Sequence, residues 1–187
     1  MHSLNELAKS AVENYIEKKE IISPPGDFPQ EYLIRKAGIF ITLKKERELR
    51  ACMGTYLPTQ RNIAQEVIRN AIIAATEDYR FGPIKKDEIP LLSYSVYILE
   101  EPKLIEDKSE LDPKKYGILV KTAPIAPSGE IDVSFNGHFP FKSGLLLPDL
   151  EGIDTVEQQI AIACQKGGIN PREEKIVIYR FSVEKYE

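Results

Sequence analysis

Only two cysteines, Cys52 and Cys164, occur among the 187 residues. That excludes a disulfide-dense secreted scaffold, and their separation leaves no C-x-x-C half-site for zinc or thioredoxin-like chemistry. A reducing interior suits such a chain. Histidine is as scarce: with His2 and His138 alone, a two-histidine metal site would have to recruit the chain terminus and a turn, and no metal site is expected. No stretch approaches the ~20 apolar residues that span a bilayer, and the start MHSLNELAKS lacks the basic and apolar regions of a signal peptide. The expectation is a soluble, cytoplasmic protein with no membrane partner. Excess positive charge is also missing: 25 Lys and Arg against 29 Asp and Glu give a net charge of -4, which disfavours a surface that grips phosphate backbone throughout. A local basic patch, and with it nucleic acid, stays open. Gly-x-Gly-x-x-Gly, Gly-x-x-x-x-Gly-Lys-Ser/Thr and Gly-x-Ser-x-Gly are all absent, so dinucleotide, P-loop and hydrolase-elbow readings have no support, and no cofactor is implied.

What is present, 42% hydrophobic residues in a chain of this length, suffices for one ordinary core, so residues 1–187 read as a single domain. Leu4, Leu7, Ala8, Ala11, Val12, Tyr15 and Ile16 recur at helical spacing behind a Ser3/Glu6 capping box, which predicts a helix over 3–19. Gly38–Leu43 and Leu49–Met53 flank a charged tip and read as a hairpin. An odd-numbered connection would gather Ile39, Ile41, Leu43, Leu49, Ala51 and Met53 on one apolar face, leaving Phe40, Thr42, Arg50 and Cys52 on the other. A long helix with Thr59 as N-cap follows, with a stripe of Ile63, Ala64, Val67, Ile68, Ala71, Ile72 and Ala75, ending near Tyr79. Strands are expected at 92–99, 116–121, 143–147 and 176–183, and a helix at 155–166 started by Asp154 and ended by Gly167-Gly168. Between Lys121 and Gly144 lie a proline-rich loop and an Asn136-Gly137 turn that would make a hairpin of 131–141.

Leu49-Arg50-Ala51-Cys52-Met53-Gly54-Thr55 is the first candidate for chemistry, because period-two geometry places Arg50 and Cys52 on one side of a strand and Gly54 permits a sharp turn. A guanidinium beside a thiol favours the thiolate, the nucleophilic form. The same residues equally fit a small buried cysteine in a sheet and an arginine that closes a helix onto it through an acid. Glu77 and Asp78, at the end of the long helix, are the acids expected to reach Arg50, and Arg80 follows in Asp78-Tyr79-Arg80-Phe81-Gly82-Pro83. His138 could serve Cys52 as a base, or be merely solvated.

These segments, together with Leu111–Ile118, Gly144–Gly152 and Tyr179-Arg180-Phe181, resemble in the same order the AMMECR-type domain over nearly the whole chain. Its hallmark, Leu-Arg-Gly-Cys-Ile-Gly, stands here as Leu49–Gly54 with Ala51 at the first glycine, and its Asp-x-Arg-Phe-x-Pro survives intact from Asp78 to Pro83. The resemblance implies an α+β fold, a mixed or antiparallel sheet flanked by helices, with a smaller subdomain and a cleft between. Residues 122–143 exceed the family's usual short connection and read as an accessory insertion, whose apolar 131–141 hairpin is expected to lie on the body of the domain or against a second subunit as a homodimer contact. Prokaryotic relatives are associated with Memo-like and radical-SAM proteins, which implies a component of a modification system. Cys52 and Arg50 are the catalytic candidates; Gly54, Thr55, Glu77, Asp78 and Arg80 are the substrate-binding candidates. The other expectation is a cysteine-dependent enzyme using Cys52 on an anionic small molecule, protein or RNA.

Overall fold

The computed structural model describes residues 3–123 and 141–187. Its central hairpin pairs β1 (Gly38–Lys45) with β2 (Glu48–Thr55) in antiparallel fashion. Glu46 and Arg47 at the tip have φ of 52° and 75°, the left-handed pair whose twist matches that of the flanking strands. The turn thus has two residues rather than an odd number. Parity is restored by a bulge: Leu43 faces Ala51 while Lys44 faces Leu49, which leaves Arg50 as the extra residue. Ile39, Ile41, Leu43 and Ala51 therefore share one buried face, as expected, but Leu49 does not join them and is 44% exposed.

β3 (Leu92–Leu99) pairs antiparallel with β1, and β8 (Val183–Tyr186) completes a sheet of order β2-β1-β3-β8. α1 (Leu4–Lys18) begins with the expected Ser3/Glu6 capping box. α3 (Ile63–Glu77) buries every member of the expected stripe, and both helices share one apolar core with the sheet. Its N-cap is Asn62, not Thr59. Thr59 is engaged elsewhere, its N–H and hydroxyl both donating to Glu66. A short helix, α2 (Gln30–Ile34), lies between α1 and β1.

The second sheet has the order β4-β7-β5-β6, from β4 (Lys103–Leu104), β5 (Gly117–Thr122), β6 (Ser143–Leu146) and β7 (Ile176–Phe181). With α4 (Val156–Lys166) it encloses its own core of Ile118, Val120, Leu146, Ile160 and Ala163. Thr155, rather than Asp154, caps α4 through a reciprocal box with Gln158. Gly144 lets β6 approach α4, since a Cβ there would overlap the carbonyl oxygen of Ala163. The closing strand expected over 176–183 is in fact two strands, β7 in this sheet and β8 in the first, with the break at Ser182. Helices with antiparallel sheets make the fold α+β. By its contacts the chain divides into two compact units, one reaching Glu101 and including Glu184–Glu187, the other Pro102–Val183. Among the described residues no helix is long and apolar enough to cross a membrane.

The 131–141 hairpin, His138 included, lies outside the described residues except for Phe141. Its flanks are described, with Lys121 opposite Ser143 and the Thr122 N–H donating to the Lys142 carbonyl at 3.0 Å. Ends already side by side make a long connection cost little to close. Replacing 124–140 with a short Ser-Gly turn should leave a single cooperative thermal transition; a broad or absent transition would place those residues in the main core.

Candidate functional site

Arg50 sits on the bulge of β2 with its side chain 15% exposed. A guanidinium removed from water needs its donors filled. Nε and Nη2 donate to the two carboxylate oxygens of Glu88, each at 2.9 Å, while Nη1 and Nη2 donate at 3.1 Å to the carbonyls of Gly82 and Pro83. Glu88 is 10% exposed and also accepts from Lys45 Nζ and the Lys85 N–H. The guanidinium beside it, aided by those donors, holds its carboxyl down from the usual 4.5 to about 2, against the opposing effect of burial. The acid that secures Arg50 is therefore Glu88, not Glu77 or Asp78. Glu77 is exposed at the end of α3.

Asp78 has a different task. Its side chain is fully buried at the C-terminal end of α3, where the helix dipole disfavours an acid. Arg80 compensates through a two-pronged pair, Nε to Oδ1 at 2.9 Å and Nη2 to Oδ2 at 2.7 Å. That contact, with the N–H of Cys52 at 2.9 Å, keeps the carboxyl below the ordinary aspartate range. Arg80 Nη2 donates in turn to the Cys52 carbonyl at 3.0 Å. The two side chains thus occupy the outward N–H and C=O of Cys52 on an edge strand, the position where unpaired backbone invites a foreign strand.

With its backbone groups directed outward, Cys52 pairs with Thr42 in the non-hydrogen-bonded manner that brings side chains close. Thr42 Oγ1 donates to Sγ at 3.4 Å, and the cysteine is half-buried. Cys52 and Arg50 are neighbours in sequence, but the guanidinium turns to Glu88 and the sulfur to Thr42. Gly54 faces Phe40, and a Cβ there would overlap the Ile39 carbonyl oxygen and crowd the Phe40 ring. This glycine is required by packing. Ala51 points the opposite way, its methyl fully buried in the core, so the family's first glycine is not needed for backbone access here.

Thr55 donates at 2.8 Å to Glu66, a fully buried carboxylate that also takes the Thr59 hydroxyl and the N–H groups of Thr59 and Gln60. Asn70, one turn later, donates to the Ile39 carbonyl at 3.0 Å and reaches Thr55 Oγ1. Glu66, Asn70 and Glu88 are the polar residues that sequence reasoning missed. The available signal for the first two was their four-residue spacing beside an otherwise apolar stripe. A hollow of about 490 Å3 opens beside the Arg50–Glu88 pair, lined by Lys45, Phe81, Pro83, Lys85 and Asp87. Among the described residues no group of acids, cysteines and histidines is placed to hold a metal ion.

Removing one partner of a largely buried pair strands the other's charge, so Arg50→Ala should cost about 3 kcal/mol or more in urea unfolding. Because Glu88 titrates lower in the folded chain than in the unfolded one, its stabilisation is complete above pH 4.5 and is lost as pH falls toward about 2. Glu88→Gln should flatten the acid limb of the stability–pH curve in that window. An unchanged limb would assign acid sensitivity to other carboxylates.

A model of the AMMECR1 family matches residues 5–186. A Thermotoga maritima protein is 43% identical over 187 residues, covering 100% of this chain and 98% of that one. Protein CA_C1420 of Clostridium acetobutylicum is 39% identical over 97% of this chain but only 35% of its own length. The crystal structure of uncharacterized protein PH0010 from Pyrococcus horikoshii superposes with a TM-score of 0.80 at 30% identity, covering 97% of this chain and 88% of that one. A family match over nearly every residue, joined to a close structural likeness at that identity, means that the chain belongs to the AMMECR1 family.

Proposed function

We propose that the protein is a binding component of a modification system, recognising a companion or its substrate through the surface around Leu49–Gly54. The observation that carries this reading is the engagement of the motif's charges inside the fold: Arg50 is committed to Glu88 and two carbonyls, and Asp78 and Arg80 to Cys52's backbone. Such an arrangement stiffens a surface, and among the described residues it commits the cations nearest the sulfur, Arg50 and Arg80, to other partners. The accessible features are Phe81, 40% exposed and stacked 5.2 Å from the Arg80 guanidinium, and the hollow it lines. Rigid aromatics beside arginine are the composition of binding hot spots. The Clostridium relative, in which the matched region is 35% of the length, supports the same reading, because there the domain is joined to further sequence. The Memo-like and radical-SAM proteins implied by family resemblance are the proposed companions.

Calorimetric titration of the purified protein with each purified companion, and with both together, tests this. Phe81→Ala should weaken binding at least about tenfold while leaving the melt unchanged. Absence of binding in all three titrations would overturn the proposal.

A second reading, in which Cys52 is a nucleophile or carrier, is favoured by its half-exposed position. Cys164 is the internal comparison, because it is buried and burial pushes its thiol up. Alkylation of the folded protein, read peptide by peptide, should modify Cys52 well before Cys164. Equal protection of both until unfolding would remove thiol chemistry.

A further inference from the structure

α3 is buried on all but one narrow stripe, where Gln65, Arg69, Ile73 and Glu77 follow one another at four-residue intervals. Ile73 is half-buried at the middle of the charged span. Arg69 and Glu77 stand one turn to either side of it, each about 6 Å along the axis. Arg69 donates to Thr59 Oγ1, and among the described residues neither it nor Glu77 has an ion-pair partner. The stripe forms one wall of a groove of about 520 Å3, whose other walls include Ile22, Pro24, Ile68 and Ile72, with Ile21, which also lines it, 71% exposed.

Opposite charges equidistant from a central apolar residue make the stripe its own complement under a twofold rotation. Antiparallel placement sets Ile73 against the partner's Ile73, Arg69 against the partner's Glu77, and Glu77 against the partner's Arg69. An exposed Ile21 beside a groove with the apolar walls Ile22, Ile68 and Ile72 has the same self-complementarity, a projection and a recess on one face. We propose that this face is a homodimer interface, with the second copy of the chain as its occupant.

Sedimentation velocity from low micromolar to near-millimolar concentration is the test. The parent should dimerise with rising concentration, and Ile73→Asp should abolish the dimer. Arg69→Glu and Glu77→Arg should each raise the dissociation constant at least about tenfold, because each turns two attractive pairs into two repulsive ones. The double exchange Arg69→Glu/Glu77→Arg should restore association, which no effect on folding alone would produce. Thermal melts of the charge variants, taken at concentrations where the parent is monomeric, should match the parent, since Arg69 and Glu77 are at the surface. A parent that stays monomeric throughout, or a double exchange that fails to restore the dimer, would overturn the proposal. So would a dimer that survives Ile73→Asp but is lost when 124–140 are replaced, which would transfer the contact to that segment.

Discussion

The ion pair between Arg50 and Glu88 is the interaction on which the organisation of the first unit turns. Two opposite charges at 15% and 10% exposure are tolerated only when their hydrogen-bonding capacity is filled. Filling it fixes more than the two side chains. The carbonyls of Gly82 and Pro83 must face the guanidinium, so the link from α3 to β3 is set in one path, with Gly82 at φ 71° where a side chain would be strained. The bulge in β2 supplies the direction from which Arg50 reaches that link.

The Asp78–Arg80 pair complements it at the next outward backbone position. Among the described residues Cys52 has no β neighbour on its outer side, yet a carboxylate accepts its N–H and a guanidinium donates to its C=O. Side chains from a helix terminus thereby substitute for a missing strand. The motif Asp-x-Arg-Phe and the motif Leu-Arg-x-Cys are accordingly two halves of one device, although 23 residues separate Gly54 from Asp78 by intervening chain. A cysteine held in this way keeps its sulfur on the sheet face beside Thr42, whatever its chemical role.

Much of this architecture was legible in the residues, and the failures share a cause. Periodicity located α1, the stripe of α3 and β3, because burial of one face imposes a repeat that any window of sequence reveals. Parity also predicted that Ile39, Ile41, Leu43 and Ala51 share a face, but not that Leu49 would leave it, because the bulge that restores the register has no periodic signature. Glu88 was missed because an ion pair across 38 residues leaves no local mark. Thr59 and Asn62 are both good caps by type, and the choice between them was made by buried Glu66, which binds Thr59 from within the helix. Likewise no spacing announced that 176–186 would serve two sheets, since both of its halves are strand-like in composition and only Ser182 lies between them.

That division of the closing segment has a consequence for synthesis. β8 is the neighbour of β3, but the whole of the second unit is encoded between them. A chain emerging from the ribosome can assemble β1, β2 and β3 with their helices and then complete the second unit, all while the outer edge of β3 lacks its last strand. The first unit, begun before the second, is thus finished after it, and nascent-chain protection of an open strand edge falls on the interval before residue 183.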